Sequence, residues 1–579
     1  MKSTYNKRPV KVIKNGDGKA AQGWDAIANQ LKSASSKCKK HVIVIDCYPG
    51  VDVSEIEKAA AKLSPVLLIN SDDFAWQPMQ MEEYLTQTLT DDRVFGFMTD
   101  KNLSDFFVQE KIVAAQEQIA NIDEGIVCVI GTGAALVTRG GTLIHATISR
   151  WEIQLRYRSG QANWRCNNND APILSKYKWG FFAQWRWADK HKASLYDIFD
   201  YVLSMNTTNA PSMVTGDGFR DGLRQLAREP FRTVPYFDEG VWGGQWMKKY
   251  CGLDPSIDKY AWAFDGVPEE NSIIMSFGGV EVEVPAIDLV LYQPQPLLGD
   301  RVYNQYGAEF PIRFDFLDTM EGGKLSLQVH PLTAYIKEHF GMKYTQDESY
   351  YILDAKPSAI AYMGLKEGID PAEMEKDLRA AQAGEIIFDA DKYVNSYSIK
   401  KHDHILIPAG TIHCSCEDTM VLEISATPYI FTFKLWDWGQ VGLDGRPRPI
   451  HLEHGLANIQ WDRDTTWINN NCIGQEQVLE KNDNYQIEKT GLHPYEPIET
   501  LRYTLENATS ITIESNDSVR MLNLVEGESI KISCKENNFE PMIINYAETF
   551  ILPASIKSCI ISPHNTIGPC KIIVAYIRK

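Results

Sequence analysis

The sequence predicts a multidomain protein: an α/β domain on a parallel sheet, then a mainly-β core of sandwich or barrel type, then a smaller β domain. Three observations predict it. The chain has 579 residues, 44% of them apolar, which is too long for one core and too apolar for disorder. The first 230 residues alternate Val/Ile-rich runs with segments of helical spacing. Beyond them Pro and Gly recur, and short alternating strands dominate. The expected boundaries are 1–230, 231–475 and 476–579.

In the first segment HVIVIDC (41–47), PVLLIN (65–70) and GIVCVIG (125–131) are continuous apolar runs, as strands buried on both faces are. SEIEKAAAKL and LSDFFVQEKIVAAQEQIA lie between them with apolar residues at helical spacing, which completes a βαβ pattern. A nucleotide loop is not intact. Asn15-Gly-Asp-Gly-Lys-Ala20 lacks the metal-binding hydroxyl after its lysine and has Ile13 where the earlier glycine belongs. Gly131-Thr-Gly133 follows a strand, but Leu136 takes the third glycine position. INSDDF (69–74) and ISRWEIQLRYRSG (148–160) resemble segments of uridine-kinase-like proteins, which implies a degenerate kinase fold that has lost its phosphate loop. The stretch YKWGFFAQWRWADKHK (177–192) reads as cations lying over aromatic packing, with an interface or anion site as the alternative.

The second and third segments are read from GVEVEVPAIDLVLYQP, GKLSLQVHP, SYYILDA, HDHILIPAG and TMVLEIS, with one helix over 371–384, and then from RMLNLVEG, MIINYAETFILPAS and CKIIVAYIRK. ILIPAGTIH (405–413) and FILPASIKS (550–558) look like one strand–turn–strand idea used twice.

Charge and cysteines narrow the function classes. Lys and Arg number 58 against 76 Asp and Glu, a net charge of −18, which argues against a nucleic-acid partner or an anionic membrane surface. The amino-terminal stretch MKSTYNKRPVKVIKNGDGK has no apolar core of signal-peptide length, and no run of 18 apolar residues occurs. The 11 cysteines are scattered without a CxxC pair, as reduced thiols in a cytoplasm would be. A cytoplasmic protein is expected, and nothing in the sequence specifies subunit number.

One constellation carries chemistry. If KLSLQVHP is a strand, Ser326, Gln328 and His330 share one face, while Leu325, Leu327 and Val329 point into the packed layer. Three polar side chains on one face of an apolar strand are costly unless something binds them. Glu348 opens the strand SYYILDA, and His413 follows the turn at 407–411. Two imidazoles, a carboxylate and an amide oxygen form a plausible donor set for a borderline cation such as zinc, and manganese, cobalt or iron would also suit it.

The strings LSLQVHP, ESYYILDA, IPAGTIHC, VLEIS and DGRPRPIHLEHGL, with EGVWGGQW (239–246) ahead of them, resemble in order the motifs of type I mannose-6-phosphate isomerases. The resemblance covers roughly residues 235 to 579 and implies a cupin, or jelly-roll, core and a cupin-like terminal β domain. It implies one Zn2+ per chain on Gln328, His330, Glu348 and His413. Ser326 would bind the phosphate, and Arg448, Glu423 and Lys434 would line the catalytic pocket. The implied reaction interconverts mannose 6-phosphate and fructose 6-phosphate through a cis-enediol, with a small sugar phosphate as the only partner. Three positions depart from the family pattern: Gln346 stands for a lysine, Lys434 for an arginine and Gln440 for an arginine. These departures leave two alternatives open, an isomerase for a different sugar or sugar phosphate and a non-catalytic sugar-sensing or assembly protein.

Overall fold

The computed structural model describes every residue except 1–3, 36–37, 428, 444, 446–447, 507–508, 536–537 and 566–567. Asp444, Arg446 and Pro447 of the DGRPRPIHLEHGL string therefore lie outside the described residues. The chain divides into two compact units, one of Val10–Leu226 with Glu269–Gln293, the other of Met1–Pro9, Ala227–Pro268 and Pro294–Lys579.

The first unit holds a seven-stranded sheet in the order Ala20–Gln22, Ser212–Thr215, Tyr201–Ser204, Thr142–Thr147, Lys40–Cys47, Gly125–Gly131, Leu67–Asn70. The last five run parallel, Ser212–Thr215 runs against them, and Ala20–Gln22 runs against Ser212–Thr215. The central strands are those with continuous Val and Ile, because both their faces are covered. The loop after Lys40–Cys47 leads into a helix capped by a carboxylate of its own. Asp52 caps the next helix, Val53–Ala61, by accepting from the Ser54 N–H at 3.0 Å, and a Cβ on Gly50 would meet Ile153 at 2.7 Å. After Gly125–Gly131 the N–H of Ala135 donates to Asp46 at 2.8 Å. Carboxylates thus occupy both places where backbone N–H groups would hold an anion. The Asn15–Ala20 stretch joins two strands, and its Lys19 pairs with Asp221 at 3.1 Å. The stretch 177–192 is core: Trp185 and Trp187 are fully buried, and Arg186 bonds Glu269.

Two expected boundaries and one expected element differ. The hairpin Ser272–Phe277/Val280–Pro285 belongs to the α/β unit, because its first strand pairs in parallel with Val10–Val12. Within GVEVEVPAIDLVLYQP only Val280–Pro285 is a strand, and Ile287–Tyr292 is a helix. Proline, which has no N–H for a ladder, ends the strand, and the short helix that follows buries Ile287, Asp288, Leu289 and Val290 in succession. Residues up to Pro9 belong to the β unit, where the Tyr5 hydroxyl donates to Asp265 at 2.8 Å. The two β segments separated at 475/476 in the sequence reading fall in one compact unit. Asp265 there also accepts from the Thr549 N–H at 3.1 Å, and Arg232 pairs with Glu548 at 2.8 Å.

Among the described residues that second unit contains four antiparallel sheets. A six-stranded sheet runs His404–Ile407, Glu348–Ala355, Thr419–Ser425, Arg313–Asp318, Tyr260–Phe264, Tyr236–Gly244. It faces a five-stranded sheet of Val394–Ser398, Ile360–Leu365, His413–Ser415, Leu327–Val329 and Phe433–Trp436. The helix expected over 371–384 forms at Pro371–Gln382, capped by Asp370. The carboxy-terminal segment packs a six-stranded sheet on a four-stranded one around Leu522, Leu524, Ile530, Ile532, Phe550, Ile561 and Ile572. The repeated turn is real: the N–H of Thr411 closes on the Pro408 carbonyl at 3.2 Å, and that of Ile556 on Pro553 at 3.0 Å.

No disulfide joins cysteines among the described residues. No helix among the described residues is long and apolar enough to cross a membrane. His404, on the edge of the six-stranded sheet, is buried and shares a hydrogen bond with Ser349 at 2.8 Å. Burial, then the charge of Arg502, pushes its imidazole down to about 3. The unfolded chain takes up this proton near pH 6.5 and the folded one does not, so stability is lost as pH falls below that value. Going from pH 7 to pH 5 should remove about 2 kcal/mol through this residue. Urea denaturation should show a smaller loss over that range in His404→Gln than in the parent.

Candidate metal centre and its pocket

Register builds the site from two facing sheets. In the five-stranded sheet Gln328 stands opposite His413 on one side and Lys434 on the other, so three polar side chains lie abreast. In the six-stranded sheet Glu348 stands opposite Ser425, which stands opposite Arg313. Two residues along, Tyr350 stands opposite Glu423, and Glu423 opposite Asp315. Side chains two apart share a face, so Glu348 and Tyr350 point the same way, as do Glu423 and Ser425. Except for Lys434, these side chains are buried, and the space between the sheets is polar where a sandwich core is ordinarily apolar.

At its centre are His330, Glu348 and His413. Among the described residues they form the one group of three or more His, Cys, Asp or Glu whose ligand atoms all lie within 4.8 Å of one another. The Nε2 of His330 is 3.1 Å from one Glu348 oxygen, and the Nε2 of His413 is 2.9 Å from the other. Each imidazole is held from behind, His330 through Nδ1 to the Phe431 carbonyl at 2.7 Å and His413 through Nδ1 to the Thr411 carbonyl at 2.9 Å. A carbonyl only accepts, so each Nδ1 carries the hydrogen and each Nε2 presents a lone pair to the centre. Two lone pairs and a carboxylate converge on one fully buried point, where His330 Nε2 and Glu348 Oε1 have no hydrogen-bond partner. Such a convergence is costly unless a cation or shared protons occupy it. Nitrogen and oxygen donors of this kind, oriented by carbonyls behind them, fit a zinc-like ion.

Gln328 closes the set. Its Nε2 lies 3.1 Å from His413 Nε2, and its Oε1 accepts from the Ser326 hydroxyl at 2.9 Å. Half a turn of the amide would give Oε1 to the centre and Nε2–H to Ser326. Gln346 makes a second bracket. Its Nε2–H donates to Glu348 at 2.9 Å, while its Oε1 accepts from the Phe431 N–H at 2.7 Å. The Phe431 peptide and Gln346 therefore link His330 to Glu348 through a chain of three hydrogen bonds.

Charge in the pocket is uneven. Burial opposes ionisation of Glu348, yet where no cation takes up the Nε2 lone pairs, His330 and His413 protonated there outweigh it and keep the carboxyl well below its ordinary range. Glu423 goes the other way: burial, then the carboxylates of Glu348 and Asp315, raises it well above the ordinary range. Two acids with opposed shifts in one pocket suit one as a fixed anion and the other as a proton carrier. Lys434 reaches Asp437 at 3.4 Å, and Arg448 reaches the other oxygen of Asp437 at 3.2 Å and the Gln440 side-chain oxygen at 3.2 Å. Asp437 thus shares itself between the two cations. Arg313, beside Asp315, lies over the Phe264 ring at 5.0 Å.

The structure gathers His330, Glu348, His413 and Gln328 at one point, sets Glu423 in the same face as Glu348, and joins Lys434 and Arg448 through Asp437. Ser326 is tied to Gln328. Tyr350, Asp437 and the clamp by Gln346 were not singled out as site features in the sequence. The period of two, applied forward from Glu348, would have found Tyr350. The carbonyls of Thr411 and Phe431 carry no side-chain signature and could not be found that way.

Residues 23–228 match a family described as a domain of unknown function (DUF8485). The mannose-6-phosphate isomerase of Streptococcus mutans serotype c is 28% identical over 231 residues, 39% of this chain and 67% of that protein. A probable mannose-6-phosphate isomerase, GmuF, of Bacillus subtilis is 25% identical over 243 residues, 40% of this chain and 68% of that one. A solved mannose 6-phosphate isomerase of Bacillus subtilis aligns with a TM-score of 0.48 at 20% identity, covering 60% of this chain and 99% of that chain.

Proposed function

We propose that the chain is a zinc-dependent aldose–ketose isomerase that interconverts mannose 6-phosphate and fructose 6-phosphate. The observation that carries this reading is the buried triangle of His330, Glu348 and His413, with both imidazoles turned by backbone carbonyls so that their lone pairs converge. The similarity to curated mannose-6-phosphate isomerases supports an isomerase.

His330, His413, Glu348 and the Gln328 amide oxygen would hold the ion. Zinc bound there would polarise the carbonyl and neighbouring hydroxyl oxygens of the sugar as a Lewis acid. Glu423, whose carboxyl is raised by burial and by its anionic neighbours, would in its ionised form take a proton from one of C1 and C2 and, after exchange with solvent, deliver one to the other. The enediolate between these steps would carry its charge on the two sugar oxygens. Lys434 and Arg448 would face the phosphate end, with Ser326 donating a hydroxyl. Metal-replete protein should convert either sugar phosphate into the other, lose this activity on chelation and regain it with zinc. Absence of turnover in both directions would refute the reading.

One observation favours a second substrate. Asp437 neutralises part of the charge of Lys434 and Arg448, and Gln346 and Gln440 add none. An isomerase for a different sugar or sugar phosphate accounts for that thinner charge. A panel of aldoses and their 6-phosphates under the same assay separates the two.

A further inference from the structure

Tyr350 lies two residues beyond Glu348 on the same strand, on the face that closes the pocket. It stands opposite Glu423 in register, and its ring meets the His413 ring edge-on with centroids 5.8 Å apart. The side chain is 1% exposed, and its hydroxyl lies towards the Glu348 carboxylate but makes no direct hydrogen bond with it or with any other described residue. Buried tyrosine hydroxyls are ordinarily paired. A phenylalanine would fill the same space without stranding a polar atom, so the hydroxyl is explained by something that enters the pocket. Its acidic neighbours, Glu348 and Glu423, would be engaged by the ion and by proton transfer under the isomerase reading. What remains is an oxygen of the bound sugar.

We propose that Tyr350 is a catalytic residue whose hydroxyl donates a hydrogen bond to the C1 or C2 oxygen of an open-chain sugar phosphate. The proton stays on the phenol, and the bond strengthens as negative charge builds on that oxygen. This rests on the isomerase reading for its substrate class, and the donor aimed at a sugar oxygen is a separate claim.

The test compares the full-length zinc-loaded protein with Tyr350→Phe. Three readouts are needed: zinc affinity by chelator competition, isomerisation kinetics, and affinity for a hexitol 6-phosphate, which cannot be isomerised, and for its 1-deoxy and 2-deoxy forms. Zinc affinity should stay within about twofold, because the phenol is not a ligand. Turnover should fall on the order of 10- to 100-fold. Hexitol phosphate binding should weaken about tenfold, and that penalty should vanish against one of the two deoxy ligands. An unchanged variant, an equal penalty against all three ligands, a matching loss of zinc affinity or no hexitol phosphate binding by the parent protein would each overturn the proposal. If the parent does not isomerise but the ligand pattern holds, the isomerase reading falls and Tyr350 stands. If the parent isomerises and Tyr350→Phe is silent, the reverse follows.

Discussion

Replacing His330 with alanine should empty the metal site and lower isomerisation on the order of 10³-fold or more. The residue contributes one of the two converging imidazole lone pairs, and nothing else among the described residues can substitute for it within the 4.8 Å group. Its loss also removes the His330 donor from the Phe431 carbonyl, which breaks the hydrogen-bond chain behind the site. Elemental analysis after dialysis should give close to one zinc per chain for the parent and a small fraction of that for His330→Ala. Loading should release protons, because the imidazoles and the carboxylate must all be unprotonated to bind, and affinity should therefore weaken in acid. Far-ultraviolet circular dichroism should remain that of the parent, since the sheets that carry the site are held by their own ladders. A variant that keeps its zinc and its rate would remove His330 from the site.

Gln346→Leu should weaken zinc affinity about 10- to 100-fold while leaving a folded protein. Gln346 is fully engaged, donating to Glu348 at 2.9 Å and accepting from the Phe431 N–H at 2.7 Å. Leucine keeps the bulk and removes both bonds. Glu348 then loses the donor that sets its orientation, and a buried N–H loses its acceptor, at about 1–3 kcal/mol of apo stability. Chelator competition reads the first effect and urea denaturation the second. Gln346→Glu separates orientation from charge: a carboxyl at this position repels Glu348, so metal-free stability should fall with rising pH while the side-chain volume hardly changes. Unchanged zinc affinity in Gln346→Leu would make the residue a packing element only.

The centre was legible in the sequence because alternation has a short, strict period. Ser326, Gln328 and His330 declare their common face from their spacing alone, and the bond between Ser326 and Gln328 follows from it. Glu348 and His413 are remote in sequence and could be joined to them only through resemblance. The parallel strands of the α/β unit were legible for a different reason: continuous Val and Ile at 41–47 and 125–131 need cover on both faces. Long-range pairing was not legible. Nothing local in Val10–Val12 tells that it pairs with Ser272–Phe277, and this pairing carries the second hairpin into the α/β unit. The helix Ile287–Tyr292 was hidden inside an apolar run too short for its period to separate helix from strand. Asp437 looked like one acid among many until register and distance put it between Lys434 and Arg448.

The central claim is that this metal pocket moves a proton between adjacent sugar carbons. Proton NMR of fructose 6-phosphate with the zinc-loaded protein in deuterium oxide tests it most directly. The account predicts mannose 6-phosphate carrying deuterium at C2, formed at a rate that chelation abolishes and zinc restores. Fructose 6-phosphate that stays unconverted and free of deuterium, with zinc bound at His330, Glu348 and His413, would contradict it.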